Sequence, residues 1–600
     1  MAILFYVMEL WKSNLHIAFV SGNGADATLE QTAIQNLLET GTRNRGDRLG
    51  GPPGQTMYAF PVSDALNYGL MAFIGLFGVG SAFIMNVFNL LTFPLAAMTA
   101  TYALFQMKIS SRVSIFAGVL YAFMSYHFYR GQSHLLLSAY YMVPLGILVA
   151  FYIMEGRVVW PLQRSRKPES THKNKKSVKN LDTPPCKWHL TKDSSGKTFL
   201  LSAVFALLIS STGIYYACFA GFFFVVALGV HLCRERRWTL AATGATTMIG
   251  LLIFGVFLNL LPNLLYLMQT DETAQIVRSP ISADVYGLSL LNLFLPNAGH
   301  RLGRLKEIAG MVNRHSPLVN ENSTASLGVI GSFGFLLLLA FPLLSRKKKH
   351  LRWDSVSSIS KMAYTGLLLA TAGGFGSLLY WTFFRVIRAY NRISVFLFFF
   401  ALAAIAFLLD RFFFGPEERV GATKNKVSFF QRRHTAWSIL LIPLLLLGLF
   451  DQIPRDVNSN YQQAEAFITE QEAFFAQIEE QSPENALIFQ LPYIAFPEPD
   501  EHHGLGPYAH LDAYLLTDTL RWSAGIMRGY REDEWYRDTS QLPWEDLKAQ
   551  IFLRGYQGIY IHVPQNPSPE LEAQIEALKQ DAGANLVTNY AENRLFFSYY

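Results

Sequence analysis

One apolar stretch of the chain carries an unusual set of ionisable side chains. Residues 122–145 read AFMSYHFYRGQSHLLLSAYYMVPL, and His127, Arg130, Gln132 and His134 interrupt the apolar pattern. Ionisable groups inside or at the edge of a bilayer are unfavourable, and they persist mainly where a cavity or an anionic ligand offsets that penalty. A short polar turn between two helices would give the same pattern. The interpretation therefore depends on where the other polar residues lie.

Three further segments contain acidic and basic groups of the same kind. The first has Asp26 ahead of the amphipathic run ATLEQTAIQNLLE and ends at Asp64. The second, which includes LFLPNAGHRLGRL and PLVNENSTASLG, contributes His300, Arg301 and Glu321, and the third, RVIRAYNRIS, contributes Arg385, Arg388 and Arg392. Each has an alternative explanation, since the aspartates can be helix N-caps and the arginines can be anchors at a membrane interface.

Together these residue types suit group transfer from a lipid-linked, phosphorylated donor. A carboxylate can accept the proton of an acceptor hydroxyl at a hydrogen-bond distance of about 3 Å. Arginines bind phosphate oxygens as bidentate forks and offset the charge of a leaving group. Histidines can hydrogen-bond the phosphate, or donate a proton if the phosphate raises their pKa.

The elements that must position these residues are predicted to be membrane helices. The chain is 51% hydrophobic and only 16% charged, whereas a soluble domain has about 25% charged residues. With about 20 apolar residues per span, we predict spans near 84–107, 113–128, 136–154, 198–213, 214–232, 239–262, 326–344, 362–381, 393–410 and 436–450. The sequence thus predicts an α-helical polytopic membrane protein with about 10–11 transmembrane helices.

Basic segments give the predicted orientation. Lys- and Arg-rich residues lie in 155–198, 233–237, 345–352 and around 424–433, and the positive-inside rule places these four segments in the cytoplasm. Counting crossings then places 12–80, 127–135, 263–325, 382–392 and 451–600 on the opposite side. Every ionisable group named above would consequently face the outer side of the cytoplasmic (inner) membrane.

The last 150 residues differ in composition from the rest. Segment 451–600 contains 24 Asp and Glu against nine Lys and Arg. Short β-type runs such as ALIFQL and GIYIHV alternate with helical patterns such as PELEAQIEALKQ. We therefore predict two domains, a transmembrane domain over 1–450 and an extracytoplasmic soluble α/β domain over 451–600, which either packs over the membrane domain or recognises an acceptor.

Several classes of function are disfavoured. The three cysteines, Cys186, Cys218 and Cys233, lie outside the predicted outer segments, which argues against structural disulfides there. Their spacing also matches no metal-ligand pattern. The basic loop 155–198 has no accompanying fold with interleaved aromatic residues, so binding to nucleic acid is not expected. The apolar opening from Met1 to Leu10 is too short to span a bilayer.

The arrangement resembles the GT-C superfamily of integral membrane glycosyltransferases, and more narrowly the protein O-mannosyltransferase-like and YfhO-like bacterial groups. The resemblance covers most of residues 20–410 and lies in the motifs GADA (24–27), RLGGPPGQTMYAFPVSD (48–64), YHFYRGQSHLLLSAYYMVPL (126–145), STGIYYA (211–217), PLVNENSTASLG (317–328) and RAYNRISVF (388–396). Proteins of this superfamily use polyprenyl-phosphate sugars as donors. The resemblance is specific for the architecture and weak for the substrate.

The resemblance implies roles for individual residues. Asp26 would correspond to the catalytic carboxylate of the first outer loop, and Arg130, His134, Arg301 and Arg392 would bind the donor phosphate. The complete predicted set of substrate-binding residues is Asp64, His127, Arg130, His134, His300, Arg301, Glu321, Arg388 and Arg392. Many relatives have paired acids in the first loop, whereas here Glu30 is the acid one turn after Asp26. A divalent metal ion is therefore an open alternative, and no metal ligand is assigned.

The expected function is that of an inverting membrane glycosyltransferase. It would move a sugar from polyprenyl phosphate to an envelope glycan or glycolipid, with membrane lipids around it. A non-enzymatic transporter of lipid-linked sugars, or an accessory protein of envelope assembly, would use the same arginines and histidines but would need no carboxylate. Transfer of a non-sugar group such as phosphoglycerol would normally need a metal-bound nucleophile.

Overall fold

Helices form most of the first 452 residues. The computed structural model describes residues 1–19, 26–164, 188–190, 194–275, 279, 281–316, 320–344, 351–382, 387–413, 439–455, 457, 461–499, 504–581, 585–590 and 593–599. Much of the predicted cytoplasmic sequence lies outside these ranges, as do Arg385 and the first half of the GADA motif.

The membrane part is a bundle of apolar helices, as predicted. Five helices of the described residues are long and apolar enough to cross a membrane, namely Ser81–Gln106, Leu135–Met154, Ile214–Glu235, Leu240–Leu267 and Tyr390–Phe412. Shorter apolar helices are Ala65–Gly75, Gly196–Ile209, Gly328–Leu343 and Leu441–Gln452. Each of the ten predicted spans overlaps at least one helix. The protein is thus a polytopic helical membrane protein, which confirms the predicted class.

The remaining helices connect or flank this bundle. They are Ala2–Val7, Asp26–Thr40, Ser111–Ala122, Ser125–Arg130, Ser282–Val285, Leu290–Phe294, Gly303–His315, Leu351–Ala370 and Phe375–Thr382. Short 3-10 helices cover Leu10–Lys12, Tyr140–Met142, Asn320–Thr324 and Tyr390–Ile393. The core of the bundle is tightly packed, since a Cβ atom on Gly334 would lie 2.3 Å from the carbonyl oxygen of Ala401 on the neighbouring helix.

Two predicted spans have different boundaries. The span at 113–128 is in fact a helix that ends at Ala122, followed by the short helix Ser125–Arg130. The break is stabilised from outside, because the backbone N–H of Ser125 donates to the side-chain oxygen of Gln452 at 2.9 Å. His127 and Arg130 therefore lie on a separate helical turn.

The span at 362–381 is likewise interrupted. The helix Leu351–Ala370 begins 11 residues before the predicted start, and a tight turn precedes Phe375–Thr382. The turn contains Gly373 at φ +72° and Gly374, where a Cβ atom would lie 2.4 Å from the carbonyl oxygen of Leu368. Only glycine fits this close approach without strain.

The C-terminal segment is an α/β domain, as predicted. Two hairpins precede it in the chain, β1 (Arg45–Gly46) with β2 (Gln55–Thr56), and β3 (Leu162–Arg164) with β4 (Trp188–Leu190). The domain has β5 (Leu487–Leu491), β6 (Arg521–Trp522), β7 (Gly558–His562), β8 (Asn585–Tyr590) and β9 (Arg594–Ser598) in the order β6-β5-β7-β9-β8. β5 is parallel to β6 and β7, and β9 is antiparallel to β7 and β8. Its helices are Tyr461–Glu480, Leu511–Leu515, Arg531–Ser540, Trp544–Leu553 and Pro569–Gln580.

The first long loop takes part in this sheet. Residues 48–51 run beside β6, where the backbone N–H of Trp522 donates to Arg48 O at 2.8 Å and Gly51 N–H donates back to Trp522 O at 2.9 Å. Leu49 and Met57 are fully buried in the core of the C-terminal domain. The loop that carries Asp26 is thereby held against the C-terminal domain.

Candidate active site

Asp26 lies at the first turn of the helix Asp26–Thr40, and its carboxylate is 48% exposed. Ala27 and Ile34 on the buried face of this helix pack against neighbouring elements, whereas the Asp26 side chain is partly exposed. One carboxylate oxygen of Asp26 is 3.3 Å from Nε2 of His134. The residues before Asp26 lie outside the described ranges, so the N-cap explanation for Asp26 stays an alternative.

Arg130 and His134 reach this point through a tight turn. The short helix Ser125–Arg130 ends at Gly131, which adopts φ +39°, and the His134 backbone N–H donates to Arg130 O at 2.9 Å. The stretch with which the sequence analysis began therefore contains a polar turn, from which Arg130 contacts Glu321 and His134 contacts Asp26. The two explanations of this stretch, a polar turn between helices and a ligand site, are therefore compatible.

Arg130 and Arg392 share the carboxylate of Glu321. Arg130 Nη2 lies 2.7 Å from Glu321 Oε2, and Arg392 contacts both oxygens, at 3.0 Å through Nη2 and 3.2 Å through Nε. Arg130 is only 3% exposed. Two arginines against one carboxylate leave an excess of positive charge, which is the arrangement that favours an incoming phosphate.

Aromatic rings support both guanidinium groups. Arg392 lies 4.3 Å from the ring centre of Tyr215, and Arg130 lies 5.2 Å from that of Tyr126. Cations over ring faces are attracted by the ring quadrupole. The rings therefore fix the arginines without neutralising them.

The charges of this cluster set the protonation of the acidic groups. Burial is the largest cause that raises the pKa of Asp26, and the nearby charges of Glu498 and Glu321 raise it further, against the opposing effect of Arg392 and Arg130. Burial also acts to raise the pKa of Glu321, but Arg392 and Arg130 outweigh it and hold that pKa at about 2. Asp26 is thus the more basic of the two carboxylates.

His134 is neutral at pH 7 in this environment. Burial, with the positive charge of Arg130, lowers the pKa of His134 to about 4. Its contact with Asp26 is therefore a contact between a neutral imidazole and a carboxylate. Such a partner can orient Asp26 without removing its capacity to accept a proton.

Asp64 lies in a second buried network. Its carboxylate accepts a hydrogen bond from Asn67 Nδ2 at 2.8 Å, and Asn67 Oδ1 accepts one from the Tyr141 hydroxyl at 2.8 Å. Asp64 occupies the N-cap position of Ala65–Gly75, but its side chain makes no capping hydrogen bond. A substrate-binding role for Asp64 remains a prediction, and its side chain is nearly fully buried.

Glu30 lies between the two networks. The Tyr68 hydroxyl donates to Glu30 at 3.2 Å, and Arg43 lies 5.4 Å from the ring centre of Tyr68. Burial raises the pKa of Glu30 to about 7 and that of Asp64 to about 7. Of these two acids, Glu30 is the one that the sequence analysis set beside Asp26 when it compared the first loop with the paired acids of relatives.

Three other predicted residues have internal partners elsewhere. His127 is fully buried, lies 2.8 Å from Thr92 Oγ1 and stacks on Phe93 at 3.6 Å between ring centres. His300 lies 3.3 Å from Asp451 at the end of the last described membrane helix. Arg301 donates to Ile453 O at 3.4 Å. The structure brings none of these three side chains into direct contact with the cluster around Glu321, and their substrate-binding roles stay predictions.

Arg388 stands at the rim of the cluster. Its Nη2 lies 3.6 Å from Glu498 of the C-terminal domain, and its guanidinium lies 5.3 Å from the ring centre of Tyr286. Glu498 and the neighbouring Tyr508 are residues that the sequence analysis did not select. Nothing in the local sequence AFPEPD marks Glu498, because its position depends on how the C-terminal domain packs.

A cavity of about 80 Å³ adjoins Arg130. Its lining combines apolar side chains with a few polar groups and comprises Met8, Phe19, Asn89, Phe93, His127, Phe128, Arg130, Gly131, Gln132, Ser133 and Val457. The side-chain oxygen of Asn89 is buried without a hydrogen-bond partner. Space of this size beside a cationic group can accept a small polar group or a few water molecules.

The described residues give no support for a metal centre. Within the ranges given above, no group of three or more His, Cys, Asp and Glu side chains could hold a metal ion. The positive charges of Arg130 and Arg392 act on Asp26, and they oppose the binding of a divalent cation there. We therefore derive no step through a metal.

Comparison with known proteins gives structural neighbours only. No model of a protein family matches the chain, and no curated protein matches it. Its full length aligns with the arabinofuranosyltransferase AftD from Mycobacteria (TM-score 0.48, 13% identity, 39% of that chain) and with ArnT from Cupriavidus metallidurans bound to undecaprenyl phosphate (TM-score 0.48, 10% identity, 98% of that chain). It also aligns with the oligosaccharyltransferase AglB from Archaeoglobus fulgidus in complex with a peptide and dolichol-phosphate (TM-score 0.42, 10% identity, 74% of that chain).

Two of these neighbours are named as transferases, AftD as an arabinofuranosyltransferase and AglB as an oligosaccharyltransferase. The chain spans well under half of the length of AftD. Because each TM-score is below 0.5, these likenesses carry no argument about the reaction. The function has to be argued from the site itself.

Proposed function

We propose that the protein is a membrane glycosyltransferase that uses a polyprenyl-phosphate sugar as donor. The observation that carries this proposal is that Asp26 lies beside His134 and within the field of Arg130 and Arg392, although these residues come from three distant segments of the sequence. A half-exposed carboxylate of raised basicity next to two buried arginines matches the needs of a base and of a phosphate site.

The proposed reaction is a single displacement. The Asp26 carboxylate takes the proton of an acceptor hydroxyl while that oxygen forms a bond to the anomeric carbon of the donor sugar. The bond from this carbon to the phosphate oxygen breaks, and the electron pair leaves with the polyprenyl phosphate. Arg130 and Arg392 stabilise the developing negative charge. Attack on the face opposite to the leaving group inverts the anomeric configuration.

Glu321 would position the two arginines before the donor binds. Its two oxygens keep Arg130 and Arg392 side by side, so that a phosphate can exchange for one or both contacts. Buried charges without a partner are strongly destabilising. A resident carboxylate therefore keeps the cationic pair assembled between turnovers.

The location of the site follows from the predicted orientation. The donor lipid would enter from the outer leaflet of the cytoplasmic membrane, and the acceptor, an envelope glycan or glycolipid, would enter beneath the C-terminal domain. Both substrates are assigned by chemical class only. The sugar and the linkage are left to experiment.

The test is the variant Asp26→Asn in cells that depend on this protein. Asn is isosteric but cannot accept a proton at neutral pH, so we expect transfer to fall at least 100-fold, in line with the usual contribution of a general base, about 10²–10⁴. Mass spectrometry of envelope glycans from cells with and without the protein measures the product.

Asp47→Asn is the matched control. Asp47 is an exposed acid of the same loop, paired only with Arg45 at 2.8 Å, and its replacement should leave the product unchanged. Normal product formation by Asp26→Asn at equal membrane levels would remove Asp26 from the mechanism. In that case, transport of an unmodified lipid-linked sugar into vesicles would support the carrier alternative.

A further inference from the structure

The C-terminal domain places a short loop directly over the site. After β5, the loop turns back and pairs with residues near β6, where the Arg528 backbone N–H donates to Phe496 O at 2.7 Å. The Arg528 guanidinium donates to Glu498 O at 3.3 Å. Glu498 itself adopts φ +50°, which turns its side chain out of the loop. Arg528 therefore fixes the loop through two hydrogen bonds, one from its backbone and one from its side chain.

Glu498 faces Arg388 of the membrane domain. Its carboxylate is 3.6 Å from Arg388 and about one-third exposed. Its charge is also the largest charge effect on Asp26 from any residue. The charge of Glu498 thus acts on Asp26, although one residue belongs to the C-terminal domain and the other to the first loop.

Tyr508 completes this side of the space. The Glu498 backbone N–H donates to the Tyr508 hydroxyl at 3.4 Å. Burial raises the pKa of Tyr508, and the charge of Asp26 is the next largest cause. The Tyr508 hydroxyl therefore stays protonated and lies close to both acids, with its hydrogen available to a ligand.

We propose that Glu498, Tyr508 and Asp26 form an acceptor-binding edge that selects uncharged polyols. In this proposal Asp26 and Glu498, the latter 3.6 Å from Arg388, contact the acceptor, whereas Arg130 and Arg392, which pair with Glu321, contact the phosphate. This inference rests on the proposed function and adds to it the acceptor class and a residue of the C-terminal domain.

The acceptor class follows from hydrogen-bonding capacity and charge. Ionised carboxylates only accept hydrogen bonds, and neighbouring hydroxyls of a sugar ring donate two of them to such a pair. An acceptor that carries its own carboxylate or phosphate at this edge would be repelled by Asp26 and Glu498, which disfavours that class of ligand. Hydroxyls of a neutral sugar therefore fit, and an anionic sugar does not.

The experiment measures sugar binding to the full-length protein in detergent micelles. Saturation-transfer NMR at pH 7 compares two neutral probes, methyl α-D-mannopyranoside and methyl β-D-glucopyranoside, with the anionic methyl β-D-glucuronide. We expect at least one neutral probe to bind and the glucuronide not to bind. Glu498→Gln should weaken the neutral probe about five- to tenfold, as expected for one hydrogen bond to a charged group, and should allow the glucuronide to bind.

Three further measurements make the result decisive. Glu484→Gln alters an exposed acid of the same domain and should behave as the unaltered protein. Glu498→Asp keeps the charge and should still exclude the glucuronide, which gives a second readout if Glu498→Gln fails to fold. Equal binding of neutral and anionic probes to the unaltered protein, or unchanged binding to a folded Glu498→Gln variant, overturns the proposal.

The outcome is separable from that of the proposed function. If Asp26→Asn abolishes transfer while Glu498→Gln binds all probes normally, the acceptor edge is wrong and the transferase stands. If the probes bind as expected while Asp26→Asn forms normal product, the edge stands as a sugar-binding site and the transferase is wrong.

Discussion

The protonation of Asp26 depends on residues from four separate parts of the chain. Burial raises its pKa, and Glu498 and Glu321 raise it further, whereas Arg392 and Arg130 lower it. A base with a pKa above that of an ordinary carboxylate accepts a proton more readily in the transition state. The same neighbours that bind substrates in our proposal thus tune the base.

This tuning predicts a pH dependence. The ionised form of Asp26 is the active one, so transfer should fall as the pH drops through its raised pKa. Glu498→Gln removes a negative neighbour, lowers that pKa and should move the acidic limb of the kcat/KM profile to lower pH, whereas Glu484→Gln should not move it. A profile with the same acidic limb in both variants would show that Glu498 does not act on Asp26.

The raised pKa values of Glu30 and Asp64 lead us to expect that the stability of the protein depends on pH. The folded-state pKa of Glu30 is about 7, above its ordinary value of 4.5. Because the folded state binds the proton more tightly, this contribution to stability is complete below about pH 4.5 and is lost as the pH rises through 7.

Glu30→Gln should therefore reduce the loss of thermal stability between pH 5 and pH 8. At pH 8 we expect its Tm to exceed that of the unaltered protein by about 1 °C, because about 1 kcal/mol shifts the Tm by roughly that much in a chain of 600 residues. Unfolding followed by tryptophan fluorescence measures the difference, and Asp47→Asn is the control. A steeper decline with pH in Glu30→Gln would contradict the assigned pKa.

Residue types and spacing were sufficient to select Asp26, Arg130, His134, Glu321 and Arg392 from the sequence. The pattern worked because ionisable groups next to apolar helices need partners, and here the partners are one another. It was not sufficient for Glu498, whose surroundings FPEPD look like an ordinary surface loop. It also did not separate His127, whose imidazole is held by Thr92 within the helix bundle.

At the scale of elements, the helix Asp26–Thr40 is anchored at its middle. Asn36 Nδ2 donates to Gln55 Oε1 at 2.8 Å, and Asn36 Oδ1 accepts from the Tyr514 hydroxyl at 2.9 Å. Gln55 continues the chain of bonds to Gly525 O at 3.1 Å. One buried side chain thus connects the helix to its own loop and to the C-terminal domain.

Asn36→Ala should loosen this helix. It removes the donor to the buried Gln55 Oε1, at an expected cost of about 1–3 kcal/mol, whereas the Tyr514 hydroxyl keeps Glu39 as an acceptor at 3.1 Å. We expect a lower Tm and a lower kcat with little change in donor KM, because Asp26 loses its position while the arginines do not. Gln35→Ala, one residue away on the more exposed face, should change neither. An unaltered kcat in Asn36→Ala would show that the helix is held by other contacts.

Helix boundaries were predicted less well than helix existence, for a physical reason. A hydropathy window sees the apolar run but not the Gln452 side chain that terminates the helix at Ala122. It also gives little weight to Gly373 and Gly374, which break the run at 371–374 because the backbone approaches its own preceding turn. Both errors come from contacts that are distant in sequence or specific to glycine.

At the scale of the whole molecule, orientation in the membrane is a prediction that the natural cysteines can test. Cys233 is exposed and lies next to the predicted cytoplasmic segment 233–237. In intact cells, an impermeant maleimide should not label Cys233, but should label an Asp47→Cys or Glu570→Cys variant from which the natural cysteines have been removed. After permeabilisation, Cys233 should react as well. If Cys233 is labelled in intact cells and the introduced cysteines are not, the predicted orientation is wrong and the opposite one holds.

The alternation of basic and apolar segments thus predicted the polytopic class and the separate C-terminal α/β domain. It did not predict that residues 48–51 lie beside β6. A window of sequence reports what a segment prefers by itself, and this segment, RLGG, has little preference of its own. Its conformation is imposed by Trp522, which offers both a donor and an acceptor to it.

That pairing has a consequence for biosynthesis. The ribosome makes residues 48–51 well before β6, so this loop emerges long before the strand beside which it lies. Until β6 has been made, the loop that carries Asp26 lacks this docking partner, and Asp26 lacks Glu498. Synthesis of the C-terminal domain therefore completes a site whose first residues were made much earlier.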